Sequence, residues 1–524
     1  MRNMNKGAVC LLLAASAMVS PQIAFADASA VKAKHKVSAS SSREAALADR
    51  LAKLEAELTA LRADVAKNHA DQGTTAAVVT QVAAAKDSAE AATAQAVAAT
   101  RTAEAANTKA SETAIKIAAL SADRSGIVGF RNGNTQVTLS GYVKLLASSA
   151  RYSGGDDPTN SLGRDLYLPQ SVPVYNPAKP TVPTRVTDFS AKQTRFWVDA
   201  STKVGQHDLK AYIEFDFQAA PGTPMALGQG TQRTTNAYDL AMRRAFIQFD
   251  RWTLGQDFTN FSIVEALPES TDYVGGVDGM VFVRQPQVRY ALPLGAKATL
   301  NLAVENPETA SATVGSATLI ENGEDHAPDV TARLSYKDTF GRIDLSGMMR
   351  QLRIDNQPTY SAGGTMLTPH FQDSYVGWGV NTSGKIFLNA KHTSDIRFEA
   401  TYGEGLGRYL GLNFSPDAVQ LANGKLSHVQ NLGLYGSGHI ALTSQWRVNL
   451  IGSFQEVYYG SGIDRSAAGI GTYNKEAWSA AGNVFYSPIK NIDLGLEYRR
   501  GNREIVSGLR GQVDRMDFSA KYTF

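Results

Sequence analysis

The 524-residue chain has a single cysteine, Cys10. One thiol excludes an internal disulfide framework, and its place near the N-terminus excludes thiol chemistry further along the chain. Long apolar runs are also lacking, and none reaches the roughly 18–20 residues of a transmembrane helix. A helical span is thereby excluded, but a closed barrel is not, because it can satisfy its backbone groups in lipid. Neither sign of charge dominates. Lys and Arg number 52 against 49 Asp and Glu, for a formal net charge of +3, so no basic field points to nucleic acid. The eight histidines have no zinc spacing. H-E-x-x-H, G-x-S-x-G and phosphate-loop motifs are all missing. Ser153-Gly154-Gly155-Asp156-Asp157 reads as a polar turn rather than a calcium loop. No catalytic constellation, metal or cofactor is expected.

What is present begins with Arg2 and Lys6, an apolar stretch from Ala8 to Val19, and Ala24-Phe25-Ala26. This is the pattern of a secretory signal over 1–26, cut before Asp27. Cys10 lies inside it, too early for a lipoprotein anchor. Residues 27–42 read as a flexible tether. Over 43–125 a helical extension is expected. Leu47, Leu51, Leu54, Leu58, Leu61 and Val65 repeat at spacings of four and three, the seam of a coiled coil. A second, alanine-rich register runs from Val78 to Leu120. No Gly or Pro interrupts Thr74 to Ser125, so a long helix is expected, with a low-complexity spacer as the alternative. A narrow apolar seam requires partner helices and implies an oligomer.

From Val128 onward period 2 replaces period 3.6. In the terminal strand, 513–524, Phe518, Ala520, Tyr522 and Phe524 share one face, while Asp517, Ser519, Lys521 and Thr523 share the other. Sixteen such strands can be placed between 136–148 and 513–524. Long connections at 149–190, 219–239, 258–280, 306–327, 354–373, 405–429, 458–474 and 502–512 alternate with seven short turns. The expectation is an all-β transmembrane barrel of sixteen antiparallel strands over 128–524, with short periplasmic turns and long outer loops.

Parity sorts each strand into lipid-facing and lumen-facing residues. The lumen set is rich in arginine. Lys144, Arg195, Arg244 and Arg333 are expected near mid-height, with Arg350, Arg499 and Arg515 towards the outside. Arg289, Arg397 and Arg447 are expected towards the periplasm. Such a ladder favours anions. Inward Asp199, Glu214, Asp216, Asp344 and Glu399 offer the alternative of a balanced, weakly selective lumen. Loop 258–280 carries apolar residues and acids, and is expected to fold inward as a constriction. It would set Phe258, Phe261, Glu265, Glu269 and Asp272 opposite the arginine wall, with a transverse field between. Packing on a neighbouring subunit is the alternative.

Several stretches taken together resemble the DcaP-like family of trimeric outer-membrane porins. They are LSGYVKL at 139–145, TRFWVDAST at 194–202, LKAYIEFDF at 209–217, MRRAFIQFDRWTLGQD at 242–257, and ALPESTDYVGG with VFVRQPQVRY up to Tyr290. The likeness fades beyond about residue 305. It implies a homotrimer of sixteen-stranded barrels in the outer membrane of a Gram-negative bacterium, with a periplasmic coiled-coil stalk. It also implies passive diffusion of small anions such as dicarboxylates and aromatic carboxylates. Lys144, Arg195, Arg244, Arg284 and Arg289 fall within the matching motifs as pore-wall residues. Arg284 has the wrong parity, and a bulge at Pro286 is expected to reset it. Other readings are a sugar-preferring or weakly selective porin, and a coiled-coil tether to the cell wall or a trimeric surface adhesin.

Overall fold

The computed structural model describes residues 49–63 and 129–524, except 159–160, 219–237, 239, 273 and 461. The chain divides into two compact units between Arg124 and Ser125. In the first unit, residues 49–63 form one α-helix. Leu51, Leu54, Leu58 and Leu61 lie along it at 50–63 % exposure. The signal at 1–26, the tether at 27–42 and most of the expected coiled coil lie outside the described residues.

The second unit is a closed barrel of sixteen antiparallel strands. The first four are β1 (Thr135–Tyr152), β2 (Thr184–Ser190, then Arg195–Val204), β3 (His207–Asp216) and β4 (Ala241–Phe249). Then follow β5 (Trp252–Phe258), β6 (Arg284–Pro293), β7 (Ala298–Glu305) and β8 (Asp329–Asp338). The third group is β9 (Gly341–Asn356), β10 (Phe371–Phe387), β11 (Asp395–Glu404) and β12 (Leu426–Ala441). The last is β13 (Trp446–Tyr459), β14 (Asn474–Tyr486), β15 (Ile492–Ile505) and β16 (Arg510–Thr523). The expected parity forms these strands. On β1, Leu139, Val143 and Leu145 are 43, 55 and 39 % exposed, whereas Lys144 is 5 % exposed. β16 closes the barrel on β1, from Tyr142 against Thr523 to Tyr152 against Val513. Gly141 and Phe524 exchange backbone hydrogen bonds of 3.2 and 2.9 Å at the seam.

Aromatic residues mark the lipid boundaries. Trp252 meets Tyr290 and Trp446 meets Tyr486 near the short turns, with centroids 4.7 and 4.5 Å apart. Trp378 and Tyr402 meet towards the other rim. Such girdles anchor a barrel at both membrane interfaces.

The structure corrects the loop pattern in one place. Expected long loop 502–512 is a hairpin at 506–509, because β15 and β16 run on to Ile505 and back from Arg510. Hydropathy alternation fades where strands leave the bilayer, but ladder hydrogen bonds continue there. For the same reason β1 extends to Tyr152 and β2 starts at Thr184.

The long loops also build structure that alternation does not signal. Ala310–Thr313 pairs with Ser316–Glu321 and lies parallel to Ala418–Gln420, which joins the start of β12. Ala312, Phe414, Val419, Ile470 and Tyr473 are wholly or almost wholly buried in this outer core.

Candidate functional site: a constricted pore

Residues 259–283, between β5 and β6, fold against the inward face of the barrel. A loop removed from water must find partners for its polar groups, and the wall supplies them in sequence. Arg333 donates to the Ser262 carbonyl at 2.5 Å and lies 3.4 Å from Asp344. Arg397 donates to the Leu267 carbonyl at 2.8 Å. The Arg447 guanidinium grips the Glu269 carboxylate with bonds of 2.8–3.0 Å, and Asn449 adds one at 3.1 Å. The Glu497 carboxylate accepts from Ser270 at 2.8 Å and from the Thr271 N–H at 3.1 Å. Lys144 Nζ donates to the Thr271 carbonyl and to Gln193.

The returning arm is held as firmly. Asp278 accepts from Tyr167 at 2.8 Å and from Ser453 at 2.7 Å. The Glu399 carboxylate joins both arms, accepting from the Val281 N–H at 2.6 Å and from the Ser262 hydroxyl. Gly279, at φ +75°, rests on Gly433 of β12. A Cβ on Gly433 would stand 2.3 Å from the Gly279 carbonyl oxygen, so this close approach requires glycine.

This placement changes the expected role of the loop residues. Glu265 contacts Lys337 at 3.1 Å and Arg342 at 2.9 Å, and Glu269 is bonded to Arg447. Asp272 is fully buried and accepts from the N–H groups of Val274 and Gly275. These acids are fastened to the wall or to their own loop, rather than facing it across an open gap. Phe261 is also fully buried, edge-on to Tyr409, and belongs to the loop's core. Burial alone would raise the Glu269 carboxyl. Hydrogen bonds from His439 and Arg447 outweigh it and hold the carboxyl far below the usual range. Glu265 is lowered too, with burial opposed by Arg342 and Lys337.

The wall formed by β2 to β6 is arranged differently. Arg195 bonds Glu214 at 2.9 Å and Asp216 at 2.6 Å. Arg244 lies 3.5 Å from Glu214 and bonds Asp257 at 2.6 Å, and Arg289 reaches Asp257 at 2.9 Å. The network includes an arginine that strand parity misses. A register shift between Glu214 and Phe215 lets Arg243 point inward beside Arg244 and bond Asp216 at 2.8 Å. A charge on a lipid-facing position costs several kcal/mol, so the adjacent pair Arg243-Arg244 was itself a signal of that bulge.

Exposure separates the two signs in this network. The side chains of Glu214, Asp216 and Asp257 are 6, 0 and 6 % exposed. Those of Arg195, Arg243, Arg244 and Arg289 are 11, 18, 25 and 16 % exposed. Aromatic rings stand among the cations. The Arg244 guanidinium lies 4.8 Å from the Tyr212 ring centroid and 5.6 Å from that of Phe258. Arg284 lies 4.4 Å from Phe258 and 4.8 Å from Phe282. No bulge at Pro286 resets it, since β5 and β6 pair without a shift from Trp252–Tyr290 to Phe258–Arg284. Arg284 is the first residue of β6, where the loop aromatics reach it. Towards the short turns, a cavity of about 610 Å³ opens beside this wall, lined among others by Arg131, Lys203, Lys210, Asp208 and Asp250.

Comparison with known proteins agrees with this architecture. The family model for the DcaP outer membrane protein matches residues 167–524. The chain belongs to the DcaP outer membrane protein family. The match continues to the C-terminus, well past residue 305, so the later strands carry more family character than their generic pattern suggests. It starts after LSGYVKL, which lies outside it. The outer membrane channel DcaP of Acinetobacter baumannii superposes with a TM-score of 0.57 at 21 % identity, covering 76 % of this chain and all of that one. Outer-membrane OmpT of Vibrio cholerae gives 0.45 at 10 % identity, with 76 % and 100 % covered. The anion-selective porin from Comamonas acidovorans gives 0.40 at 10 % identity, with 74 % and 100 % covered. No match was found among curated proteins. The likeness to the DcaP channel establishes the closed sixteen-stranded porin barrel, and the family places it in the outer membrane.

Proposed function

We propose that this porin passes small anionic solutes, dicarboxylates and aromatic carboxylates among them, by passive diffusion along the β2–β6 wall. The observation that carries the proposal is the layering of charge there. Acids lie at 0–6 % exposure beneath arginines at 11–25 %. A solute grazing the wall meets guanidinium edges first. Those edges lower the barrier for carboxylates and can take them two-pronged. Tyr212, Phe246 and Phe258 beside Arg244 give aromatic solutes a surface to slide on. Lys144 and Arg333 serve the constriction by fastening the loop. The exposed leucines of helix 49–63 support a coiled-coil stalk in the periplasm that joins copies into a homotrimer.

Reversal potentials of the reconstituted protein in a KCl gradient test the selectivity. Chloride preference is expected, and clear potassium preference would overturn it.

A further inference from the structure

A row of charges crosses the outer face of the barrel at its long-loop rim. Arg185 of β2, Arg151 of β1, Asp514 of β16 and Arg500 of β15 are successive cross-strand partners. By strand parity they share the lipid-facing side with Phe189, Leu145, Met516 and Tyr498, which are 65, 39, 38 and 46 % exposed. The row therefore stands at the upper border of the apolar belt, at the height of outer-leaflet headgroups. Strands lie about 4.8 Å apart, so it is roughly 14 Å wide.

The acid in this row is already answered. Arg500 lies 3.7 Å from Asp514, and the Tyr498 hydroxyl donates to Asp514 at 2.7 Å. Arg151 and Arg185 are directly opposite each other and both exposed. Like charges opposed on a sheet destabilise it. Among the described residues, neither guanidinium has an acid within ion-pair distance. Such a pair is costly alone and favourable around an anion.

We propose that Arg151 and Arg185 bind the phosphate of an outer-leaflet lipid headgroup. A phosphate takes two guanidinium forks at once and turns their repulsion into attraction. The occupant follows from position. Acyl chains of the same lipid would run down over Phe189, Leu145 and Met516.

The test measures retention of three probes by full-length protein in detergent. The probes are bisphosphorylated lipid A, the same lipid with its phosphates removed, and inorganic phosphate. Wild type should retain the phosphorylated lipid and release the other two. Each of Arg151→Gln and Arg185→Gln should weaken retention roughly ten-fold, the worth of a charge-assisted hydrogen bond. Arg185→Lys, which keeps the charge and loses the fork, should weaken it less. Unchanged heat-modified mobility would show that the barrel is intact. Equal retention of both lipid forms by wild type, or of the phosphorylated form by the double variant, would overturn the proposal. So would inorganic phosphate competing as well as lipid, which means a free-anion site. Loss of oligomer mass in the double variant with lipid retention unchanged would reassign the pair to an acid on a second copy.

Discussion

The lumen has two walls that use the same residue type for different ends. On β8 to β16 and on Lys144 of β1, cations meet loops, and several also pair with an acid of their own wall, as Arg397 does with Asp395 and Arg515 with Asp517. Arg333, Arg397 and Arg447 hold residues 262–269, Arg350 holds the Gly405 carbonyl and Asp417, and Arg515 holds the carbonyls of Arg164 and Asp165. Arg350, Arg499 and Arg515 are at most 2 % exposed. On β2 to β6 the arginines meet acids of the same wall and keep an edge towards the lumen. Counting lumen arginines therefore overstates the charge a solute meets. Under the proposed function, a cation buried against a loop carbonyl shapes the pore, whereas a cation layered over an acid sets its selectivity.

The comparison breaks most visibly at the buried clamps. Arg350 lies 3.0 Å from Asp417 and 3.4 Å from Asp329, with all three side chains at 0 % exposure. Arg350→Met would leave Asp417 without its cation and Asp329 with only Arg408, 3.6 Å away, and should cost about 3–5 kcal/mol, read as a lower urea midpoint for the barrel. If the midpoint does not move, the clamping wall is not under the load described. Arg447→Gln comes next. Loss of a charge-assisted grip of about 1.5–3 kcal/mol leaves the Glu269 carboxylate held only by Asn449 and His439 and should give larger, noisier single-channel currents. An unchanged current trace would mean that the loop is held without this grip. Arg244→Gln should cost less stability and change selectivity instead.

Acidity sharpens the same contrast. The Glu269 and Glu265 carboxyls are held below their ordinary range. A depressed carboxyl contributes stability that is present above its unfolded pKa and is lost as pH falls through its folded pKa. The loop should therefore stay fastened from neutral pH to about pH 5, close to the ordinary carboxylate range. Constant conductance over that interval is the expected outcome. Closure or a conductance jump near pH 6 would point to other groups. The smallest effect is expected for Glu265→Gln, whose side chain is 51 % exposed. Solvent screening limits it to under about 1 kcal/mol, and conductance should barely change.

Most of the barrel was legible from alternation alone, because a misplaced charge in lipid is expensive at every strand. The sixteen strands, the short turns and the closing Phe524 follow from that single constraint. Where the constraint lapses, so does legibility. β15 and β16 run beyond the bilayer without an apolar face, and the Ala310–Thr313 hairpin obeys no lipid rule. The site was legible as a set of residues but not as a set of contacts. Glu269 and Arg447 lie 178 positions apart, and nothing local pairs them. Arg243 was hidden by a bulge, and Arg284 was assigned a bulge that is absent.

The most direct test of the division of labour is the reversal potential of Arg244→Gln beside that of Arg447→Gln in the same KCl gradient. Arg244→Gln removes one of the two arginines paired with each of Glu214 and Asp257, and should move the potential towards cation preference at nearly unchanged conductance. Arg447→Gln should raise conductance and leave the potential close to wild type. If Arg447→Gln moved the potential as far as Arg244→Gln, the two walls would not be separate in function.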